Sequence, residues 1–164
     1  MKSSTSDSFE LSTEPVFFTQ TWDLSYRHAL GKTVGGFLEG LKSKKLLGRR
    51  CNGCDRVLFP ARSFCDRCHL PTEDWVVVQP HGKLQMFTIV YEDFPGMRVK
   101  APYVLAYAML DGADTAAVGY IKGLDLSDVG AATQQLSIAA PLDVHFADEP
   151  TGQITDFWYE VSKE

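Results

Sequence analysis

Two Cys-x-x-Cys pairs dominate the sequence: Cys51-Asn52-Gly53-Cys54, then ten residues, then Cys65-Asp66-Arg67-Cys68. Each pair forms a short knuckle that aims two sulfurs at one point, and ten residues suffice for a hairpin that brings the knuckles together. The product is a tetrahedral set of four thiolates, which suits Zn²⁺ at about 2.3 Å per bond. Four sulfurs can also hold iron, and a redox dithiol is a further use of such pairs. A four-thiolate site is closed, with no position left for water or substrate, so its expected role is structural. A segment this short buries too little apolar surface to fold alone, and metal binding supplies the missing free energy. Gly53 is expected to take a positive φ and to let backbone N–H groups approach sulfur. Arg49, Arg50, Arg56, Arg62 and Arg67 are placed to offset the charge of a metal tetrathiolate.

The chain has only these four cysteines. A metal would occupy all of them, so acyl transfer through a Cys nucleophile falls outside what this chain alone can do. Other catalytic signatures are missing from the sequence: G-x-S-x-G, H-E-x-x-H, Walker A and G-x-G-x-x-G. His28, His69, His81 and His145 are scattered, although His69 follows Cys68 closely enough to substitute as a ligand. Glu73-Asp74 and Glu92-Asp93 read as solvated turn charges.

Length and charge narrow the class further. At 164 residues with 45% hydrophobic and 23% charged residues, the chain suits one compact domain, or one small domain with an appendage. Met1–Leu11 is polar and acidic, without the basic and apolar regions of a secretory signal, and no apolar run is long enough for a membrane span. The expected location is the cytoplasm, where paired disulfides are not the default use of Cys. Residues 1–68 carry 11 Lys+Arg against 7 Asp+Glu, while residues 69–164 carry 5 against 14. Two electrostatically different halves suggest two structural units, and the acidic half is ill suited to a nucleic-acid strand.

The periodicity also changes along the chain. Residues 1–8 are Ser/Thr-rich, and residues 9–21, with Pro15 and Val16-Phe17-Phe18, read as an extended arm. A helix is expected from Thr21 or Asp23 to about Leu41, with Trp22, Tyr26, Leu30, Val34, Phe37, Leu38 and Leu41 on one face. One rod, or a helix pair broken at Gly35-Gly36, both fit. The large aromatics on this face find little core of their own, so Trp22, Tyr26, Leu30 and Phe37 are expected to meet a partner. From Trp75 onward the period falls to two. Strands are expected at 75–79, 83–91, 103–110, 115–121, 142–147 and 154–160, with Asp111-Gly112 as a tight turn and a short helix within 124–140. That order suits a small closed barrel of the OB type, or a sandwich.

The string Gly48-Arg49-Arg50-Cys51-x-x-Cys54-x-Arg56-x-x-Phe59-Pro60-x-Arg62-x-x-Cys65-x-x-Cys68 resembles the DUF35 family, the ChsH2-like proteins. Trp75, His81-Gly82-Lys83-Leu84, Phe87-Thr88-Ile89-Val90, Ala101-Pro102-Tyr103-Val104 and Leu110-Asp111-Gly112 extend the likeness over roughly Phe37 to Phe146. Two places depart from the family pattern: Ala139-Ala140-Pro141-Leu142 stands where a Gly-x-x-Val precedes the fourth barrel strand, and Pro80-His81 where small residues are usual. The resemblance implies a mainly β fold with an N-terminal helix: a rubredoxin-like zinc ribbon followed by a five-stranded OB-fold barrel. The expected units are 1–47 (arm and helical segment), 48–74 (ribbon) and 75–164 (OB-fold).

The resemblance also implies a function. Proteins of this kind are small non-catalytic subunits of acyl-CoA complexes that join thiolase-like enzymes, in thiolase or aldolase complexes, or hydratase-like subunits. The four family ribbon cysteines map onto Cys51, Cys54, Cys65 and Cys68, as ligands of a structural zinc ion. The partner implied is a thiolase-superfamily subunit in a hetero-oligomer, with a coenzyme A thioester contacted at their interface. Arg98 and Lys100, on a loop with Gly96, are the candidates to meet its phosphates. Two competing readings are a nucleic-acid-binding ribbon and barrel, favoured by the basic run from Lys42 to Arg50, and a stand-alone enzyme, for which no nucleophile or paired base is present.

Overall fold

The computed structural model describes residues 27–93, 95, 96 and 99–162. In chain order the elements are α1 (Lys32–Lys42), β1 (Leu46–Cys51), β2 (Val57–Leu58), β3 (Thr72–Val78), β4 (His81–Val90), β5 (Tyr103–Leu110), β6 (Ala117–Ile121), α2 (Val129–Gln135), β7 (Pro141–Phe146) and β8 (Phe157–Val161). Two sheets result. The first is a three-stranded antiparallel ribbon in the order β2-β1-β3, and the second is a closed barrel in the order β4-β5-β6-β8-β7. In the barrel β6 and β8 run parallel, while the other neighbours are antiparallel. With a helix between the third and fourth strands, this is the five-stranded OB arrangement.

Three differences from the sequence reading have physical causes. The helix is one uninterrupted rod through Gly35-Gly36, but it starts only at Lys32, with extended Gly31 as its N-cap. Its glycines serve close packing. A Cβ at Gly36 would lie 2.6 Å from the Trp75 ring, and one at Gly40 2.6 Å from Leu47. The helix thus lies directly on the ribbon strands β1 and β3. Second, the strand containing Trp75 pairs with β1 along Leu46–Cys51, so it completes the ribbon, and the barrel starts at His81. Third, residues 154–156 form a single 3-10 turn before β8, tied down by Asp156. Its carboxylate is buried and accepts N–H bonds from Thr151, Gly152 and Gln153 at 2.6–2.8 Å. The Asp111-Gly112 turn is present, with Gly112 at φ +87°.

One apolar core runs through helix, ribbon and barrel. Phe37 and Leu41 of α1, Leu46 and Val57 of the ribbon, and Leu84, Val104, Leu142 and Tyr159 of the barrel belong to it. Phe59, fully buried, is its hinge: its ring lies 5.9 Å from Phe37 and 6.4 Å from Phe157. Around the barrel the inward residues are apolar and small where strands crowd, as in Val104, Ala106, Ala108 and Leu110 of β5. Burial pushes the Tyr159 hydroxyl pKa up, and its O–H donates to the Ala117 carbonyl at 3.1 Å.

Polar bonds fix the ribbon against the barrel. The β5–β6 turn reaches over β2 and pairs with it. Val57 N–H donates to Asp114 Oδ2 and Asp114 N–H donates to the Val57 carbonyl, both at 2.8 Å. Phe59 N–H donates to Thr115 Oγ1, whose hydroxyl donates back to the Phe59 carbonyl, again at 2.8 Å each. Thr115 is itself buried, so its two bonds to Phe59 are shielded from competing water. No helix among the described residues is long and apolar enough to cross a membrane.

Candidate metal centre

The two cysteine pairs fold as near copies of one another. In each, the N–H of the residue two past the first Cys points at that sulfur: Gly53 to Cys51 at 3.3 Å, Arg67 to Cys65 at 3.4 Å. In each, the residue after the second Cys is left-handed, Asp55 at φ +62° and His69 at φ +58°, and its N–H closes the turn onto the first Cys carbonyl at 3.1 Å. The first Cys N–H then donates to Arg56 and Leu70 carbonyls respectively. Gly53 is therefore needed for space, not for a positive φ as the sequence suggested: a Cβ there would lie 2.4 Å from Leu70 and 3.3 Å from the Cys68 sulfur.

This geometry brings all four sulfurs within 4.8 Å of one another. The spacings are 3.3 Å for Cys51–Cys68, 3.6 Å for Cys54–Cys65 and 3.8 Å for Cys54–Cys68. A tetrahedral zinc tetrathiolate has sulfur–sulfur edges of about 3.8 Å, from bonds of about 2.3 Å, so the side chains fit the ion as they stand. Cys51 and Cys65 are buried, and Cys54 and Cys68 half-buried. Among the described residues this is the one group of three or more His, Cys, Asp or Glu side chains with metal-holding geometry, and His69 is not in it.

Without an ion, so many thiols cannot all ionise at this distance. The Gly53 and Cys54 N–H groups hold Cys51 below its ordinary value. The N–H groups of Cys68 and Arg67 bring Cys65 down to about 6. The second Cys of each knuckle goes the other way. The Leu70 N–H draws Cys68 down, but the Cys51 sulfur and burial outweigh it and push it up to about 12. At Cys54 the Arg56 N–H is outweighed by burial and by Cys51 and Cys65, and the pKa rises. Cys54 and Cys68 are the thiols that hold their protons most tightly in the bare cluster, and a divalent cation would displace those protons.

The arginines are largely engaged with acids. Arg50 pairs with Asp55 at 3.0 Å, Arg56 with Asp66 at 3.0 Å, and Arg62 with Asp66 at 4.0 Å. Burial alone would lower the Arg56 pKa, and Asp66 followed by the Cys65 sulfur raise it instead. Arg49 lies over the Trp75 ring at 4.8 Å and donates to the Thr72 carbonyl. Of the basic run from Lys42 to Arg50, Arg49 and Arg50 are thus tied into the ribbon, whereas Lys42 pairs with Glu39 at 2.8 Å and Lys44 and Lys45 are exposed.

The other expected residues are dispersed. Lys100 is exposed and pairs with Asp93 at 3.2 Å, while Arg98 lies outside the described residues, as do Trp22 and Tyr26. Leu30 precedes the helix and is 49% exposed. Phe37 is the correction: at 4% exposure it belongs to the core, because the β2 segment delivers Phe59 to its ring. Asp114 and Thr115, which clamp ribbon to barrel, carry no such signal in the sequence, where Asp114 follows the Asp111-Gly112 turn and Thr115 opens an expected strand.

Comparison with known proteins agrees with this geometry. Residues 38–70 match the rubredoxin-like zinc ribbon domain of ChsH2, and residues 75–146 match its C-terminal OB-fold domain. A DUF35 domain-containing scaffold protein from Methanocaldococcus jannaschii is 33% identical over 67 residues, 40% of this chain and 48% of that protein; the matched region is about half of that relative's length. A DUF35-family structure from Sulfolobus solfataricus superposes with a TM-score of 0.58 at 22% identity, covering 80% of this chain and 87% of that one. A chain of the Ltp2-ChsH2(DUF35) aldolase superposes with a TM-score of 0.62 at 19% identity, covering 82% and 98%. With both halves matched in order over more than half its length, the chain belongs to the DUF35 family of ChsH2-like proteins, a zinc ribbon joined to an OB-fold.

Proposed function

We propose that this chain is a non-catalytic subunit, folded around a structural zinc ion, that binds a thiolase-superfamily enzyme and supports carbon–carbon bond cleavage or formation on an acyl-CoA. The observation that carries the reading is the closed sulfur cluster. Cys51, Cys54, Cys65 and Cys68 face one another, so every thiol in the chain is directed at a metal and away from a substrate. Zinc there would supply folding free energy, with no open coordination position for chemistry. The reading is supported by a relative described as a scaffold protein and by a similarly folded chain in an aldolase complex. Ribbon and barrel act as one body, since Phe59 and Thr115 tie them through a shared core.

The same reading places coenzyme A phosphates near the loop of Lys100 and Arg98. Asp93 braces that loop, accepting from Lys100 and from the Ala101 N–H at 2.8 Å. The test is reconstitution: the chain is purified from its native host and its companions are identified by mass spectrometry. A thiolase-superfamily subunit should co-purify, its acyl-CoA turnover should fall when this chain is removed, and the isolated chain should turn over no thioester. Turnover by the isolated chain, or recovery of a lone metal-free monomer, would falsify the reading.

A further inference from the structure

Arg56 stands where both knuckles and the barrel meet. It follows Cys54 by two residues, and its carbonyl accepts the Cys51 N–H at 2.8 Å, so its backbone closes the first knuckle. Its guanidinium leaves that knuckle in two directions. Nη1 donates to Asp66 Oδ1 of the second knuckle at 3.0 Å. Nη2 donates to the Asp114 carbonyl of the β5–β6 turn at 3.1 Å. The planar fork of an arginine makes both bonds at once, where the point charge of a lysine could not. Cys54, Arg56 and Asp114 line one open cleft between ribbon and barrel, of about 520 Å³.

The carboxylate that Arg56 holds is itself beside a metal ligand. Asp66 Oδ1 lies 3.9 Å from the Cys65 sulfur. With zinc bound, four thiolates against one divalent ion leave the cluster with excess negative charge, and a bare carboxylate at that distance would repel it. One guanidinium answers both charges. The Arg56 side chain is only 22% exposed, so salt and water screen it less than the other arginines that pair with acids here. Arg50 and Arg62 are 38% and 46% exposed. Arg50 stays within the first knuckle, on Asp55, and Arg62 reaches Asp66 only at 4.0 Å.

The turn that Arg56 reaches is the one that clamps the ribbon. Asp114 exchanges two bonds with Val57, the next residue after Arg56, and Thr115 exchanges two with Phe59. We infer that Arg56 couples the metal centre to the barrel: its guanidinium is the counter-charge of the zinc–thiolate cluster and, held there, ties the second knuckle and the β5–β6 turn to the first, so that zinc binding tightens the joint between ribbon and barrel. By linkage, loosening the joint at this residue weakens zinc binding. The inference concerns the subunit alone and does not depend on which enzyme it joins.

The experiment compares the full zinc-loaded chain with Arg56→Gln, Arg56→Lys and Arg62→Gln, by competition with a chromophoric chelator and by hydrogen exchange resolved at single amides. Arg56→Gln should lower zinc affinity about 10- to 100-fold, the range for removing a residue that supports metal ligands. It should also speed exchange of the Asp114 amide while the β5 amides keep their protection. Arg56→Lys keeps the charge and loses the fork, so it should recover most of the affinity and still leave the Asp114 amide fast. Arg62→Gln takes a charge from the same Asp66 and should change neither readout. Wild-type zinc affinity in Arg56→Gln overturns the counter-charge, and wild-type exchange at Asp114 overturns the tie to the barrel. An equal loss of affinity in Arg62→Gln assigns the effect to the ribbon's overall charge and overturns the role of Arg56. If Arg56→Gln does not fold, Arg56→Lys decides: a fast Asp114 amide at near-wild-type affinity supports the coupling, and any other pattern overturns it.

Discussion

The ribbon and the barrel solve the same problem, holding short strands together, by opposite means. The barrel closes its hydrogen-bonded ring and fills it with Leu84, Val104, Leu142, Phe157 and Tyr159. The tip of the ribbon has an apolar cluster of its own built from Cys51, Leu58 and Cys65, with Cys54 and Cys68 at its edge. Its remaining order comes from what it borrows, through Phe59 and Val57, from the barrel's core and turn. A closed sheet can therefore stand on apolar burial, whereas a three-stranded ribbon with a two-residue edge strand needs an ion at one end and a neighbour at the other.

Removing the metal should produce the largest effect and should strike only one region. Chelation, or Cys65→Ser, is expected to abolish zinc binding, worth about 10 kcal/mol or more in comparable sites, and to release the knuckles while the barrel strands persist. Hydrogen exchange checks this: amides of Cys51–Cys68 should lose protection, and those of β5 should keep it. Simultaneous loss of both would show that the barrel also depends on the ion. Acid should act in the same direction as chelation. Around neutral pH zinc displaces protons at least from Cys54 and Cys68, whose pKa values are raised, so affinity should fall by about 100-fold or more for each unit of acidification. The fall should steepen below about 6, where Cys65 also takes a proton. A competition titration with a chromophoric chelator across that range measures the slope.

Cutting the hinge should damage both regions at once. Phe59→Ala removes a fully buried ring between Phe37 and Phe157, at a cost of about 3–5 kcal/mol. Thermal unfolding should show a transition lowered by roughly 10 °C or more, still with zinc bound. Thr115→Val keeps the shape and leaves the Phe59 N–H and carbonyl unpaired, costing about 1–3 kcal/mol. The sharper readout is cooperativity: one unfolding transition should split into two, with the ribbon leaving first. The smallest effect belongs to the exposed loop. Lys100→Glu breaks a surface pair with Asp93 and should change stability by less than about 1 kcal/mol. In the reconstituted complex it should raise the KM for acyl-CoA several-fold with kcat unchanged.

Much of this architecture is legible in one dimension because its determinants are local. Cys-x-x-Cys is a complete instruction for a knuckle, since the N–H···S bonds and the closing turn lie within five residues of the first cysteine. Alternation located every barrel strand, and β5 to the residue, because a barrel wall imposes a period of two. What alternation cannot say is which sheet a strand joins. Trp75-Val76-Val77-Val78 reads as a strand in either sheet, and only pairing with Leu46–Arg49 assigns it to the ribbon. Similarly, helical spacing placed Leu30 and Phe37 on one face, yet the helix begins after the first, and Phe59 buries the second.

The amino-acid order alone determined that four sulfurs converge, that these are all the thiols the chain has, and that a β-barrel follows, because each depends on residue type and short spacing. Tertiary structure decided the rest: that ribbon and barrel share a core, that Thr115 and Asp114 clamp them, and that Arg56 meets both Asp66 and the Asp114 carbonyl. Those facts arise from registers between strands distant in the chain, where a shift of one residue would turn every side chain to the opposite face.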